Sequence, residues 1–215
     1  MITSIGNVLT LEHLEDYHCT PTLLDLNQFC RQFILDLQTK EELQQEIEFT
    51  QIHPLIPANW PSGDSQTLTS TTEASRQSPV SSSDAPAAAH NNLGAWLCLD
   101  KHLVAIILNN LLINASHFSR RSTTIYLDLD CEHEEVIFRV HDRGLGIPSR
   151  DRLRLFEPYC RGSNTQNFGL GVGLALVKHC VNLHRGTIVI ESEEGAGTTV
   201  IVRLPSSGLI PESES

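Results

Sequence analysis

Phe168-Gly-Leu-Gly-Val-Gly-Leu-Ala-Leu-Val-Lys178 sets three glycines, Gly169, Gly171 and Gly173, at alternate positions and runs straight into an apolar segment. Glycine lets backbone N–H groups come close to an anion, and the unpaired N–H groups and positive dipole end of a helix favour negative charge at its start. The stretch therefore reads as a phosphate loop feeding a helix from Gly171 to His184. Alternate glycines alone also serve tight turns and close packing. Three more blocks bear on the choice: Asn110-Leu-Leu-Ile-Asn114, Asp142-Arg-Gly144-Leu-Gly146-Ile147, and Gly195-Ala-Gly197-Thr198-Thr199.

Asp100 can cap a helix in which Leu103, Ile107, Asn110, Asn114 and His117 share one stripe beside a purely apolar one of Val104, Leu108, Leu111, Ala115 and Phe118. The two asparagines thus face one way, and an unsatisfied buried amide costs about 1–3 kcal/mol, so they need partners, either neighbouring backbone or a ligand. Ile125-x-Leu127-x-Leu129 and Val136-x-Phe138-x-Val140 alternate as half-buried strands do. Asp142 continues the second alternation, which puts its carboxylate on the core side where the chain breaks into glycines. A buried carboxylate needs a donor. The exocyclic amine of adenine is one, and the turn's own backbone is another.

In this order the four blocks resemble the ATP-binding domain of bacterial sensor histidine kinases, within the superfamily that includes gyrase and MutL ATPases. The likeness runs roughly from Leu23 to Pro205 and adds a phenylalanine box at Leu155-Phe156-Glu157-Pro158. It implies an α+β two-layer sandwich of the Bergerat type, with a mixed, largely antiparallel sheet and helices on one face. It also implies ATP and Mg²⁺ as cofactors. Asn114 would hold Mg²⁺ through a hard oxygen, supported by Asn110. Asp142 would read adenine, with Gly144, Gly146 and Ile147 passing the purine and Thr198 and Thr199 closing the pocket floor. His117, Phe156, Arg161, Gly169, Leu170, Gly171, Val172, Gly173 and Leu174 would complete the ATP site.

The resemblance further implies a protein histidine kinase, transferring the γ-phosphoryl group to a histidine-bearing dimerisation domain in two-component signalling, with a response regulator as a further partner. The ATPase relatives have a water-activating Glu where this chain has Asn110, and an amide cannot accept that proton. Two positions depart from the family: His117 replaces a phosphate-contacting Lys, and Leu170 replaces a Ser or Thr. A degenerate nucleotide-binding module and a stand-alone serine kinase of the anti-sigma-factor type are the alternative readings.

The other expectations concern the remainder of the chain. Residues 1–20, with Ile2, Ile5 and Leu9 at helical spacing, read as the remnant of a dimerisation-hairpin helix. No acceptor motif follows His13 or His18, so the chain alone is not expected to label itself. Pro21 and Asp25 are expected to set up a helix with Leu26, Phe29, Cys30, Phe33 and Leu37 as its buried stripe. Strands are expected at 47–52, 95–99, 187–192 and 199–204. Residues 57–92, rich in Ser, Thr, Pro and Ala, read as a disordered insertion, and 206–215 as a frayed tail. From Pro148 to Phe168 the sequence is loop-like and locally basic, as in a lid over a polyphosphate. The net charge of −11 argues against a nucleic-acid grip, and no run is long enough for a membrane span, so a cytoplasmic location is expected. The six cysteines show no metal spacing and read as reduced thiols.

Overall fold

The structure, a computed structural model, describes residues 14, 16–39, 43, 45–51, 96–132, 135–160, 162–163 and 170–206. The insertion at 57–92, residues 1–13 and the tail beyond Ser206 lie outside them. Among the described residues the strands are β1 (Thr22–Asp25), β2 (Ile47–Gln51), β3 (Trp96–Leu99), β4 (Ile125–Glu132), β5 (Glu135–Asp142), β6 (Thr187–Glu193) and β7 (Gly197–Pro205). The helices α1 (Leu26–Thr39), α2 (Lys101–Phe118) and α3 (Gly173–Leu183) interleave with them.

The main sheet has the order β2-β4-β5-β7-β6, with β2 parallel to β4 and every other pair antiparallel. Alternation sorts its residues into two faces. Leu127, Val140, Val200 and Ile190 form one row across the strands, and Leu129, Phe138, Val202 and Ile188 the next. Both rows join Leu103, Ile107, Leu108, Leu111, Leu176 and Val177 of the helices in one core. The opposite face carries Tyr126 and His141, then Asp128, Arg139 and Ile201, with Arg139 paired to Asp130 and Glu132.

Asp25 Oδ1 accepts the Gln28 N–H at 3.0 Å, as a cap should, but α1 begins at Leu26. Residues 22–25, expected as the approach to that helix, form β1, which pairs antiparallel with β3 outside the main sheet. The buried positions of α1 are Leu26, Cys30, Ile34 and Leu37, while Phe29 and Phe33 are half-buried with ring centroids 5.8 Å apart. Within the basic segment, Ser149–Arg154 is a short 3-10 helix rather than plain loop. All six cysteines are free, and burial pushes the thiols of Cys30 and Cys180 up to about 12.

Helices α2 and α3 are joined at one end by two buried polar residues. Asp100, 1% exposed, caps α2 by accepting from His102 N at 2.9 Å and Leu103 N at 3.1 Å. Its other oxygen accepts from Tyr17 Oη at 2.9 Å, Thr20 N at 2.8 Å and Thr20 Oγ1 at 3.2 Å. Burial alone would raise its carboxyl, but these donors outweigh it and hold it below the usual carboxylate range. His184, at the end of α3, is fully buried. Its Nδ1 lies 3.0 Å from the Cys180 carbonyl, which can only accept, so Nδ1 carries the hydrogen and Nε2 accepts the Asp100 N–H at 3.2 Å.

Candidate functional site

Strand parity builds the first half of the site. Asp142 ends β5 on the helix-facing side, opposite Thr198 of β7, which in turn lies opposite Ser192 of β6. The carboxylate is 7% exposed, and its Oδ1 accepts the Gly144 N–H at 2.8 Å. Asp142 therefore does cap its own turn, one of the two roles open to it from sequence. Burial nonetheless pushes its carboxyl above the ordinary range despite this and its other donors. An added donor at this carboxylate would recover part of the desolvation cost, which is what an exocyclic amine supplies. Gly144 passes so close to the Phe118 carbonyl and Asp142 Oδ1 that a Cβ would overlap both. Gly146 has φ +62° and sits against Glu193 O, where a side chain would be both strained and obstructed.

Thr199 is placed differently from expectation. Successive strand residues face opposite sides, so only Thr198 can join Asp142. Thr199 points to the outer face, where its Oγ1 lies 2.9 Å from His141 Nδ1. Ser192 also belongs to the site: alternation puts it on the side of Ile188 and Ile190, and the strand pairing sets it opposite Thr198. Its Oγ takes the Ile147 N–H at 2.9 Å.

The second half lies where α2 meets the start of α3. Asn110 is 5% exposed and donates through Nδ2 to Ile106 O at 2.9 Å. A Cβ built on Gly173 would lie 3.1 Å from Asn110 Oδ1 and 3.5 and 3.6 Å from the Asn114 amide atoms. The third glycine of the loop and both asparagines therefore meet. The helix starts at Gly173, after a buried Val172 that provides no side-chain cap to the first-turn N–H groups. Leu174 is half-buried against the core, whereas Leu170 is exposed and offers no hydroxyl. His117 ends the asparagine stripe as an exposed residue, and the partial desolvation it still meets lowers its imidazole from the ordinary value.

Phe156 is half-buried against the core, with the Lys178 ammonium 5.9 Å from its ring centroid. Arg161 and Gly169 lie outside the described residues. The basic segment is tied back on itself, since Asp151 Oδ2 accepts from Ser163 N at 2.6 Å and Ser163 Oγ at 2.8 Å. The Arg152 guanidinium donates to Ser192 O, linking the 3-10 helix to the first half of the site.

The two halves suit the two ends of one ligand. A desolvated carboxylate takes a planar base with an amine, and an uncapped helix start beside two amides takes an anion. Among the described residues there is no cluster of three His, Cys, Asp or Glu that would hold a metal. An amide oxygen such as that of Asn114 suits a hard divalent cation that takes its remaining ligands from phosphate and water.

The family described as histidine kinase-, DNA gyrase B-, and HSP90-like ATPase matches residues 99–208. Over 111 residues the chain is 40% identical to the circadian input-output histidine kinase CikA of Synechococcus elongatus, covering 50% of this chain and 15% of that protein. Over 110 residues it is 36% identical to the sensor-like histidine kinase SenX3 of Mycobacterium tuberculosis, covering 50% of this chain and 27% of that protein. The chain thus spans about a quarter or less of the length of these relatives. In fold, the catalytic domain of histidine kinase ThkA aligns with a TM-score of 0.59 at 18% identity, covering 87% of this chain and 96% of that one. The full-length kinase ShkA, in complex with AMPPNP, gives 0.66 at 20% identity over 94% of this chain and 35% of that one. The chain therefore belongs to the histidine kinase-, DNA gyrase B- and HSP90-like ATPase family, as an ATP-binding domain of the sensor histidine kinase type.

Proposed function

We propose that this domain binds Mg-ATP and transfers the γ-phosphoryl group to a histidine on a dimerisation domain supplied by another chain, in the cytoplasm. The carrying observation is the meeting of Asn110, Asn114 and Gly173 at an uncapped helix start, with an amide where a hydrolase of this family carries a carboxylate. Asn110 cannot take a proton from water, and phosphoryl transfer asks the protein mainly for positioning and charge stabilisation. Asp142 would orient the base, and the first-turn N–H groups of α3 would hold the phosphates. Mg²⁺ held by Asn114 would neutralise phosphate charge during transfer. The test is incubation with γ-labelled ATP, with and without histidine-bearing hairpin domains. The expected result is acid-labile, alkali-stable label on a hairpin domain and none on this chain alone. Label on the chain alone, lost on changing His13 or His18, would refute transfer in trans.

A second reading, a nucleotide-binding module without turnover, draws support from the phosphate end. His117 stands where the family has a lysine, and an imidazole lowered from its ordinary value of about 6.5 carries far less charge at neutral pH than a lysine does. His117→Lys should tighten ATP binding by up to about tenfold while leaving adenosine unchanged, since only the triphosphate gains a charge contact. Equal effects on both ligands would place residue 117 away from the phosphates. Turnover gained only in this variant would favour the module without turnover.

A further inference from the structure

Ser192 completes the row that carries Asp142 and Thr198, and its hydroxyl makes three contacts. Ile147 N–H donates to Ser192 Oγ at 2.9 Å, Ser192 Oγ lies 2.8 Å from Gly197 O, and it lies 3.0 Å from Thr198 Oγ1. A serine hydroxyl has one hydrogen and two lone pairs. The Gly197 carbonyl can only accept, so it takes the hydrogen. The Ile147 N–H uses one lone pair, and the remaining contact must be a donation from the Thr198 hydroxyl into the other.

The consequence falls on Thr198. With its hydrogen committed to Ser192, Thr198 Oγ1 can only accept from a group that reaches it. An ionised Asp142, its neighbour in the row, is likewise an acceptor. Ser192 also stands where the β6–β7 hairpin clasps the loop after Asp142. Gly195 N donates to Leu145 O at 2.7 Å, the Arg152 guanidinium donates to Ser192 O, and Gly197 packs against Asp142 O too closely to carry a side chain.

We propose that Ser192 is a positioning residue for base selection: by holding Thr198 as an acceptor and Ile147 in place, it makes the base end of the site accept from the 6-amino group of a purine and repel a purine that presents a carbonyl at that position. This rests on Asp142 reading adenine. Without the Ser192 hydroxyl, Thr198 is free to turn and donate, and a guanine-type carbonyl then finds a partner.

The test uses the full chain and calorimetric titration of ATP and GTP. The wild type should prefer ATP. Ser192→Ala should lower the ATP-to-GTP affinity ratio by about tenfold, the factor one hydrogen bond of about 1.4 kcal/mol carries. Ser192→Thr, which keeps the hydroxyl, should restore the ratio, and Thr198→Val should lower it as Ser192→Ala does. Equal losses for both nucleotides in Ser192→Ala, the mark of a merely structural residue, would overturn the proposal, as would an unchanged ratio. Should Ser192→Ala not fold, a wild-type ratio in Thr198→Val overturns it instead. A selective wild type made unselective by Asp142→Asn but not by Ser192→Ala would sink the role of Ser192 alone. No ATP preference in the wild type would sink the adenine reading and this proposal with it.

Discussion

Replacing Gly173 by alanine asks whether the two asparagines and the start of α3 form one phosphate site. The new Cβ would stand 3.1 Å from Asn110 Oδ1, so the amide must give by a few tenths of an ångström. Asn110 is 5% exposed and tied to Ile106 O at 2.9 Å, so the shift strains a buried hydrogen bond of about 1 kcal/mol. In the other direction, alanine is favoured over glycine in a helix by up to about 1 kcal/mol. The terms oppose and nearly cancel, and the thermal midpoint should move by no more than about 3 °C. Binding should respond differently, because the methyl fills the gap between the amides and the first-turn N–H groups where phosphate would pass. ATP should bind about tenfold more weakly, a loss of about 1.4 kcal/mol, while adenosine, which lacks phosphates, should bind as before. Paired titrations and a melting curve give all three quantities. Equal weakening of ATP and adenosine, or an ATP affinity that does not move, would refute the assignment of the phosphate end.

Asp100→Ala removes the acceptor of five donors, three of them backbone N–H groups, and should destabilise the domain by about 2–4 kcal/mol in urea unfolding, against a smaller loss for Asp100→Asn. A loss below about 0.5 kcal/mol for Asp100→Ala would show that water replaces it without cost. His184 gives a pH dependence of definite sign. Burial lowers its folded pKa below the ordinary 6.5, so as pH falls through 6.5 the unfolded chain gains a proton that the folded chain cannot. Stability is then full above 6.5 and declines below it, by at most about 1.4 kcal/mol per pH unit, until the folded value is reached. Urea midpoints between pH 7.5 and 5.5 should fall for the wild type and fall less for His184→Gln; identical slopes would remove His184 as the cause.

Periodicity made much of this fold legible. The alternation in 125–129 and 136–140 located β4 and β5, and extending it by one step put Asp142 on the core face, where it lies. The same rule separates Thr198 from Thr199, since adjacent strand residues cannot share a face, and Thr199 lies beside His141 instead. Helical spacing brought Asn110 and Asn114 to one side of α2, but sequence could not say that Gly173 is what they meet. Other elements carried no local signal. β1 has the sequence Thr-Leu-Leu-Asp, a short run without alternation, and it exists because β3 lies beside it. Asp100 read as a helix cap, whereas three of its five hydrogen bonds come from Tyr17 and Thr20, 80 or more residues earlier, a convergence only the tertiary fold creates. The 3-10 helix at 149–154 has no apolar period and is held by polar ties, among them Arg152 to Ser192 O and Asp151 to Ser163.

α2 and α3 are tied at one end and meet again at the other. At one end the Asp100 N–H donates to His184 Nε2, so the N-cap of α2 is joined to the last turn of α3. At the other end Asn110 and Asn114 of α2 face Gly173, the first residue of α3. The segment before β1 attaches to the same pair, with Leu14 buried in the core and its carbonyl accepting from His179 Nε2 at 3.0 Å, and with Tyr17 and Thr20 on Asp100. Close-packed helices slide against one another rather than deform smoothly, because their side chains interdigitate. A change in how Leu14 sits would act on α3 at His179, six residues along the same helix from Gly173. Such a shift would change the gap between Gly173 and the asparagines. Leu14, Tyr17 and Thr20 are thus linked through α2 and α3 to the candidate phosphate end, and a perturbation of Asp100 that loosens this link should weaken ATP more than adenosine even though Asp100 lies at the opposite end of α2.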